Sequence, residues 1–304
     1  MLFTRREFLH ASAVTGTAVA ASNLVPLAAT AKPPKKNPLA RQLGITTSSL
    51  SGHIAAKPTK GKMTALEMPK ILREELGMTI IDLNTSTIAS TQPAYLEKLR
   101  TAADKAGCVL TNLKLNQRGL DMNISDKSVR EKSLSIYKKS IDAASILGLK
   151  WARPLPLMAK PDMAIHVASY RELCDYAAKK NIQMLIENYG WMESDPESVP
   201  KLVKAIDRDV AVSPDIGNWK TNELRYEGLA HSFPLAVSCD FKARQLGPNG
   251  EHKLYDLKRC FDIAWKTGFQ GPWCFEHANS DRKKLFKELA LLRDMLQGWM
   301  KDAG

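Results

Sequence analysis

The chain alternates short β-rich runs with longer amphipathic runs, eight of each, between residues 42 and 301. The predicted strands cover residues 42–46, 79–83, 109–115, 151–153, 183–187, 210–213, 235–241 and 273–276. The predicted helices cover residues 64–76, 93–106, 126–147, 162–180, 196–207, 221–231, 255–267 and 281–301. Strict alternation of this kind indicates parallel strands that are joined by crossover helices.

Two α/β architectures have this order of elements, the doubly wound open sheet and the closed (β/α)8 barrel. Gly44 is followed by Ile-Thr-Thr-Ser, so the glycine spacing of a dinucleotide-binding turn is absent after the first strand. Eight strands in a chain of this length favour the barrel, which typically takes about 250 residues. We therefore predict a single α/β domain, a (β/α)8 TIM barrel over residues 41–304, with no internal linker.

The N-terminal residues have the pattern of an export signal. Thr4-Arg5-Arg6-Glu7-Phe8-Leu9 precedes a run of small and apolar residues that ends at Ala29-Thr30-Ala31, a small-x-small cleavage site. The paired arginines resemble the twin-arginine (Tat) consensus, although a Sec signal with two arginines remains open. We predict a signal peptide over residues 1–31, a Pro/Lys linker over 32–40, and a periplasmic or otherwise exported protein that leaves the membrane after cleavage.

Charge and cysteine content narrow the function little. The formal net charge is +12, but Lys and Arg are scattered along amphipathic helices, which is typical of solvated helix faces. The five cysteines form no C-x-x-C pair, and an odd number in strand-like and helical runs favours buried free thiols over a disulfide framework.

The active sites of (β/α)8 barrels form at the C-terminal ends of the strands. The polar residues at the predicted strand ends are Asp82, Asn84, Asn112, Lys114, Asn116, Arg153, Glu187, Asn188, Asp215, Asp240, Lys242, Arg244, Glu276 and His277. Strands 5 to 8 each deliver one carboxylate to this rim, namely Glu187, Asp215, Asp240 and Glu276. Four converging carboxylates repel one another unless cations offset them, so a divalent metal with oxygen ligands is one explanation. Helix capping or pairing with Lys242 and Arg244 is the other.

Four motifs carry a family resemblance: Ile186-Glu187-Asn188, Pro214-Asp215-Ile216-Gly217-Asn218-Trp219, Asp240-Phe241-Lys242-Ala243-Arg244 and Phe275-Glu276-His277. Together with the alternation, they resemble the xylose isomerase-like TIM-barrel superfamily over about residues 41–300. That superfamily includes sugar-phosphate isomerases and epimerases, ketose 3-epimerases, inosose dehydratases and the endonuclease IV branch.

The resemblance implies a metal site and two catalytic residues within it. It implies that Glu187, Asp215 and Glu276 are metal ligands and that Glu187 and Glu276 also move protons as catalytic acid and base. The strand 7 pattern is usually His-x-Lys-Asp, so Asp240 stands where the family has its histidine ligand. An all-carboxylate set with Asp240 as the fourth ligand favours Mg²⁺, Mn²⁺ or Ca²⁺ over Zn²⁺. Alternatively, Asp240 marks the loss of the metal site.

Other rim residues are expected to bind substrate. We assign Lys242, Arg153 and Arg244 to hydroxyls or an anionic group, and Asn188, Trp219 and His277 complete the expected binding set. Strand alternation also predicts that His277, directly after Glu276, points toward the helix layer. Trp219 fits either stacking on a sugar ring or ordinary packing.

The expected function is an exported isomerase or epimerase that removes a proton next to the carbonyl of a small carbohydrate. A lyase or hydratase acting on keto-sugars shares that first step, and a non-catalytic carbohydrate-binding barrel is a further alternative. An endonuclease IV-like activity requires a histidine-rich zinc site that the strand ends lack, so no nucleic acid partner is expected. A homo-oligomer remains open.

Overall fold

The computed structural model describes residues 38–117, 119–155 and 157–304; the predicted signal peptide and most of the predicted linker lie outside these residues. The strands are β1 (Leu43–Thr46), β2 (Ile80–Asn84), β3 (Val109–Leu115), β4 (Trp151–Pro154), β5 (Gln183–Ile186), β6 (Val210–Val212), β7 (Cys239–Lys242) and β8 (Trp273–Glu276). The helices are α1 (Met68–Leu76), α2 (Pro93–Lys105), α3 (Lys127–Ile146), α4 (Met163–Ala178), α5 (Ser198–Ile206), α6 (Asn222–Ser232), α7 (Leu257–Lys266) and α8 (Arg282–Asp302).

The strands form one parallel sheet that curls into a barrel. Its hydrogen-bonded order is β6-β5-β4-β3-β2-β1-β8-β7, so β1 pairs with both β2 and β8. Two isolated parallel bridges, Val212 to Ala236 and Asp215 to Asp240, join β6 to β7 and close the ring. The predicted (β/α)8 TIM barrel is confirmed, and the described residues fall within one compact unit.

The barrel interior is apolar at one end and polar at the other. The apolar layer is a buried cluster of Leu39, Ile80, Trp151, Leu185, Ala211 and Cys274. Inward-facing positions alternate along a strand, so the next inward residues after Ile80 and Cys274 are Asp82 and Glu276. The outer face of the sheet packs on the helices, for example through Phe241, Phe261 and Trp273. The polar end therefore lies at the C-terminal ends of the strands.

Local sequence signals explain most element boundaries. The Asp281 carboxylate accepts a hydrogen bond from the backbone N–H of Lys284 and so caps the N-terminus of α8. The fifth helix begins later than the predicted residue 196, because α5 begins at Ser198 and the Asp195 carboxylate accepts from the N–H of Glu197 in the preceding turn. Strand β7 also begins later than predicted, since residues 233–235 form a 3-10 turn that contains a proline.

All five cysteines are buried and free, as the sequence predicted. Among the residues that the structure describes, no helix is both long and apolar enough to cross a membrane.

Candidate active site

The strands bring all four predicted carboxylates to the polar end of the barrel. Glu187 and Asp215 follow β5 and β6, while Asp240 lies in β7 and Glu276 ends β8. Asp215 and Asp240 are 0% exposed, Glu187 is 3% exposed, and Glu276 is 8% exposed. Charged groups buried to this degree need partners, because desolvation penalises an isolated ion heavily.

Two of the carboxylates pair with cations of β3 and β4: Asp240 with a lysine across the barrel, and Glu187 with an arginine of the neighbouring strand. The ammonium of Lys114, in β3, donates a short hydrogen bond to Oδ1 of Asp240. The guanidinium Nε of Arg153, in β4, lies 2.8 Å from Oε2 of Glu187. Lys114 and Arg153 are adjacent in the β3–β4 register, and both are 2% exposed. Both ion pairs are therefore shielded from water.

The other two carboxylates share one lysine. Nζ of Lys242 donates to Oδ2 of Asp215 at 2.8 Å and lies 3.3 Å from Oε1 of Glu276. Lys242 also donates to Oδ1 of Asn218 at 2.7 Å, and the Asn218 amide donates to Oε1 of Glu187 at 3.3 Å. Polar contacts thus connect the acidic residues of β5, β6 and β8 through Lys242 and Asn218.

Arg244 contributes the outermost contact of the site. Its guanidinium donates to Oε1 of Glu276, while 59% of its side chain is exposed to solvent. Lys242, by contrast, is only 14% exposed. Arg244 is therefore the one member of the network whose side chain is mostly at the surface.

The loop after β6 holds Asp215 in place. The side chain of Asn188 accepts from the N–H of Asp215 and donates to its carbonyl oxygen, both at 2.8 Å. The N–H of Gly217 donates to Oδ1 of Asp215 at 2.7 Å. A Cβ at Gly217 would lie 2.4 Å from Cδ of Lys242, so only glycine leaves room for the lysine stem. Asn188 thus positions the acidic loop through its backbone.

The network separates the pKa values of its members. Burial raises the pKa of Asp215 to about 6 even though Lys242 opposes the shift. Burial acts on Glu276 in the same direction, but Lys242, Lys114 and Arg244 together outweigh it and lower the pKa of Glu276 to about 2. For Lys114, burial alone would lower the pKa, yet the Asp240 and Glu187 carboxylates raise it above its ordinary value. Both Glu276 and Lys114 are therefore charged at neutral pH.

Two predicted substrate ligands face away from this network. His277 points toward the helix layer, as strand alternation predicts, where Nε2 lies 2.7 Å from Oε2 of Glu288 in α8. Trp219 is 5% exposed, and its indole packs on α6 so closely that a Cβ at Gly228 would lie 2.0 Å from its ring. The structure therefore gives His277 and Trp219 packing contacts with the outer helices.

Two members of the network had no role assigned from the sequence, Lys114 and Asn218. Lys114 lies among Asn112 and Asn116 at every second position of a buried strand, and such a polar stripe indicates inward-facing side chains. Asn218 follows Asp215 by three residues within a tight Gly-Asn turn. Both signals are visible in the sequence, but only the structure reveals their partners across the barrel.

Comparison with known proteins places the chain in a family. Residues 72–302 match the family described as xylose isomerase-like TIM barrel. The chain belongs to that family. A search of curated protein sequences finds no match.

Three solved structures illustrate the likeness. The D-allulose 3-epimerase from Methylomonas sp. is 14% identical with a TM-score of 0.67, covering 86% of this chain and 99% of its own. A xylose isomerase-like TIM barrel protein from Mycobacterium smegmatis, solved in complex with magnesium, is 19% identical with a TM-score of 0.62, covering 86% and 97%. The probable 3-DHS dehydratase of petrobactin synthesis from Bacillus anthracis is 13% identical with a TM-score of 0.61, covering 83% and 98%. At these identities the likeness establishes the fold.

The four carboxylates do not fit a divalent ion as they are arranged here. Each has an oxygen in contact with an ammonium or guanidinium group, as the pairs of Lys114, Arg153, Lys242 and Arg244 show. Two oxygens of the set, Oδ2 of Asp240 and Oε2 of Glu187, are buried without a hydrogen bond, and the second lies 2.8 Å from the Arg153 guanidinium, so they do not make a coordination sphere. In the described residues, no group of three or more His, Cys, Asp or Glu side chains is arranged to hold a metal. This arrangement disagrees with the metal site that the resemblance implies.

Proposed function

We propose that this chain is an isomerase or epimerase that acts on a small sugar or keto-sugar at the polar end of the barrel. The observation that carries the proposal is the network of Glu187, Asp215, Lys242 and Glu276, assembled from consecutive strand ends of a xylose isomerase-like barrel. The Lys242 ammonium lies beside Glu276 and is connected to Glu187 through Asn218, which suits proton transfer by the two glutamates next to a carbonyl that the ammonium polarises.

The proposed reaction begins with a proton transfer. A carboxylate, Glu187 or Glu276, takes the proton from the carbon next to the substrate carbonyl, and the C–H electron pair forms the new C=C bond of an enediolate. The carbonyl oxygen gains the negative charge, which the Lys242 ammonium stabilises. Return of the proton to the opposite face of the same carbon restores the carbonyl and gives the epimer. If the proton of the neighbouring hydroxyl first moves to the former carbonyl oxygen, return of a proton to the former carbonyl carbon gives the isomer.

Glu276 needs to become more basic for this step, because its neighbours lower its pKa to about 2. Arg244, being mostly exposed, is free to leave Glu276 when a substrate enters. A substrate oxygen that takes over the Lys242 contact weakens the other restraint on the carboxylate. Substrate binding and activation of the base are thereby coupled in this proposal.

A lyase reaction on a keto-sugar is the second candidate, because dehydration starts with the same proton removal. The structural likeness to a probable dehydratase favours it as the alternative. A binding barrel without turnover lacks such support, since two carboxylates beside one lysine are not needed for recognition alone.

Export of this enzyme is also part of the proposal. Arg5 and Arg6 followed by a mild apolar run support a twin-arginine signal that is cleaved after Ala31. An exported enzyme meets few sugar phosphates, which favours unphosphorylated substrates. N-terminal sequencing of the periplasmic protein tests the cleavage site, and an intact Met1 in that fraction would refute it.

Exchange of the substrate α-hydrogen in D₂O tests the proton transfer directly, because isomerase, epimerase and lyase share this step. We expect deuterium incorporation into a keto-sugar by NMR with the wild-type enzyme. Glu187→Gln and Glu276→Gln should each lower the exchange rate by roughly 10² to 10⁴. Glu172→Gln is the matched control, since Glu172 pairs with Lys138 on the outer helices. Absence of exchange on every keto-sugar and aldose tested, or an equal loss in Glu172→Gln, would refute the proposal.

A further inference from the structure

The rim network carries balanced charge without any added ion. Its carboxylates are Glu187, Asp215, Asp240 and Glu276, and its cations are Lys114, Arg153, Lys242 and Arg244. Each carboxylate contacts at least one cation, and the formal charges of the eight groups sum to zero. A divalent ion would add two positive charges to a site that its own residues already neutralise.

The Lys114–Asp240 ion pair is the most deeply buried pair of this network. Asp240 is 0% exposed and Lys114 is 2% exposed, so neither group can exchange its partner for water. Asp240 also lies beside Asp215 through the bridge that closes the barrel. An ion bound by Asp215 and Asp240 would therefore lie close to the Lys114 ammonium and be repelled by it.

The contacts of Lys242 and Arg153 also disfavour a bound metal ion. Lys242 lies between Asp215 and Glu276, where it contacts one oxygen of each. Arg153 contacts Glu187 from inside the barrel. The cations thus lie at the carboxylates themselves.

We propose that Lys114 and Lys242 take the place of a divalent metal in this barrel, so that ammonium groups of the chain itself hold the substrate carbonyl oxygen. Lys114 fixes the Asp240 carboxylate and excludes the ion, and Lys242 supplies the positive charge beside the reacting oxygen. The role of Lys242 toward substrate rests on the proposed function, whereas the exclusion of metal by Lys114 does not.

Titration with Mn²⁺ measures the exclusion without any assay of activity. The purified protein is treated with EDTA, dialysed and titrated while EPR follows the signal of free Mn²⁺. We expect the wild-type protein to bind Mn²⁺ with a dissociation constant above about 1 mM. The double variant Lys114→Met/Asp240→His removes the ammonium and supplies an imidazole ligand. It should bind one Mn²⁺ per chain at least tenfold more tightly.

Lys138→Met/Glu172→His is the matched control, because it makes the same two replacements in an ion pair on the outer helices. It should bind Mn²⁺ as weakly as the wild-type protein. Micromolar binding of one Mn²⁺ by the wild-type protein, lost in Glu187→Gln, would overturn the proposal. A folded double variant that gains no affinity would overturn the role of Lys114. If that variant does not fold, the wild-type titration still decides whether the site excludes metal.

A second readout distinguishes this inference from the proposed function. Isotope exchange on an active keto-sugar should be unchanged by EDTA and lost by at least 100-fold in Lys242→Met. A protein that excludes Mn²⁺ but exchanges no sugar hydrogen would leave the metal inference standing and refute the proposed reaction. A protein whose exchange stops with EDTA and returns with Mn²⁺ would refute the metal inference and support the proposed reaction.

Discussion

The Lys114–Asp240 ion pair provides the most direct test of the electrostatics inferred for the barrel. Lys114→Met removes the ammonium and leaves the fully buried Asp240 carboxylate facing the carboxylates of Glu187 and Asp215. Removing one partner of a buried ion pair costs about 3–5 kcal/mol of folding free energy. For a barrel of this size, that loss corresponds to a decrease in Tm of roughly 6–20 °C.

Removing the other partner should cost less. In Asp240→Asn, the Lys114 ammonium still faces the Glu187 and Glu276 carboxylates. We therefore expect this variant to lose only about 2–3 kcal/mol of folding free energy, less than Lys114→Met. In the double variant Lys114→Met/Asp240→Asn, no charge remains unpaired at the pair. Its loss should be smaller than the sum of the single losses by at least about 2 kcal/mol.

Lys114→Met should also change how the stability of the protein depends on pH. In the wild-type protein, burial already raises the pKa of Asp240 well above its ordinary value, although Lys114 opposes the shift. Lys114→Met removes that opposition, so the pKa of Asp240 rises further and the folded variant binds the proton more tightly than folded wild type does. Stability of this variant relative to wild type should therefore rise as the pH falls from 8 to 5. Urea unfolding followed by circular dichroism at several pH values measures both effects. A loss below 1 kcal/mol for Lys114→Met, or additive losses in the double variant, would refute the reasoning.

Three further predictions concern single residues. Gly228→Ala places a Cβ 2.0 Å from the Trp219 ring and should lower the free energy of unfolding in urea by about 1–3 kcal/mol. The control Gly298→Ala, in open space on α8, should be neutral or stabilising. Equal effects of the two variants would contradict the packing assigned to Trp219. Burial lowers the pKa of His166 to about 4, so the contribution of this residue to folding stability falls by roughly 2 kcal/mol between pH 7.5 and pH 5, and the stability difference between wild type and His166→Phe should change by about that amount in the same assay. Arg244→Gln should raise the pKa of Glu276 in a ¹³C NMR titration, and an unchanged pKa would show that the guanidinium does not act on that carboxylate.

The fold was predictable from the sequence because hydrophobic periodicity reports it directly. The runs at residues 109–115 and 273–276 match β3 and β8 at both ends, since each is a buried strand that turn residues bound. The start of β7 was predicted too early because the residues before it are as apolar as a strand, although their proline favours a turn. Apolar composition alone does not distinguish the two conformations.

The site was predictable only in part. The ends of parallel strands meet at one edge, so the convergence of Glu187, Asp215 and Glu276 followed from their positions in the chain. Their partners did not follow, because Lys114 lies 126 residues from Asp240 and the pair depends on the curvature of the closed barrel. The same limit applies to Trp219, whose position near a strand end suggested a role in the pocket although its ring packs on α6.

The bridge between Asp215 and Asp240 has a consequence for how the enzyme is assembled. Strands β6 and β7 meet through isolated bridges, whereas the other neighbouring strands pair directly over two or more residues in the described part of the chain. This seam is also where two rim carboxylates are held together, and Lys242 leaves β7 to reach across it to Asp215. Closure of this seam therefore brings Asp240 and Lys242 to Asp215. A chain in which β6 and β7 stay apart lacks the contact between Lys242 and Asp215, so the same pairing that closes the barrel also completes the charged network at its rim.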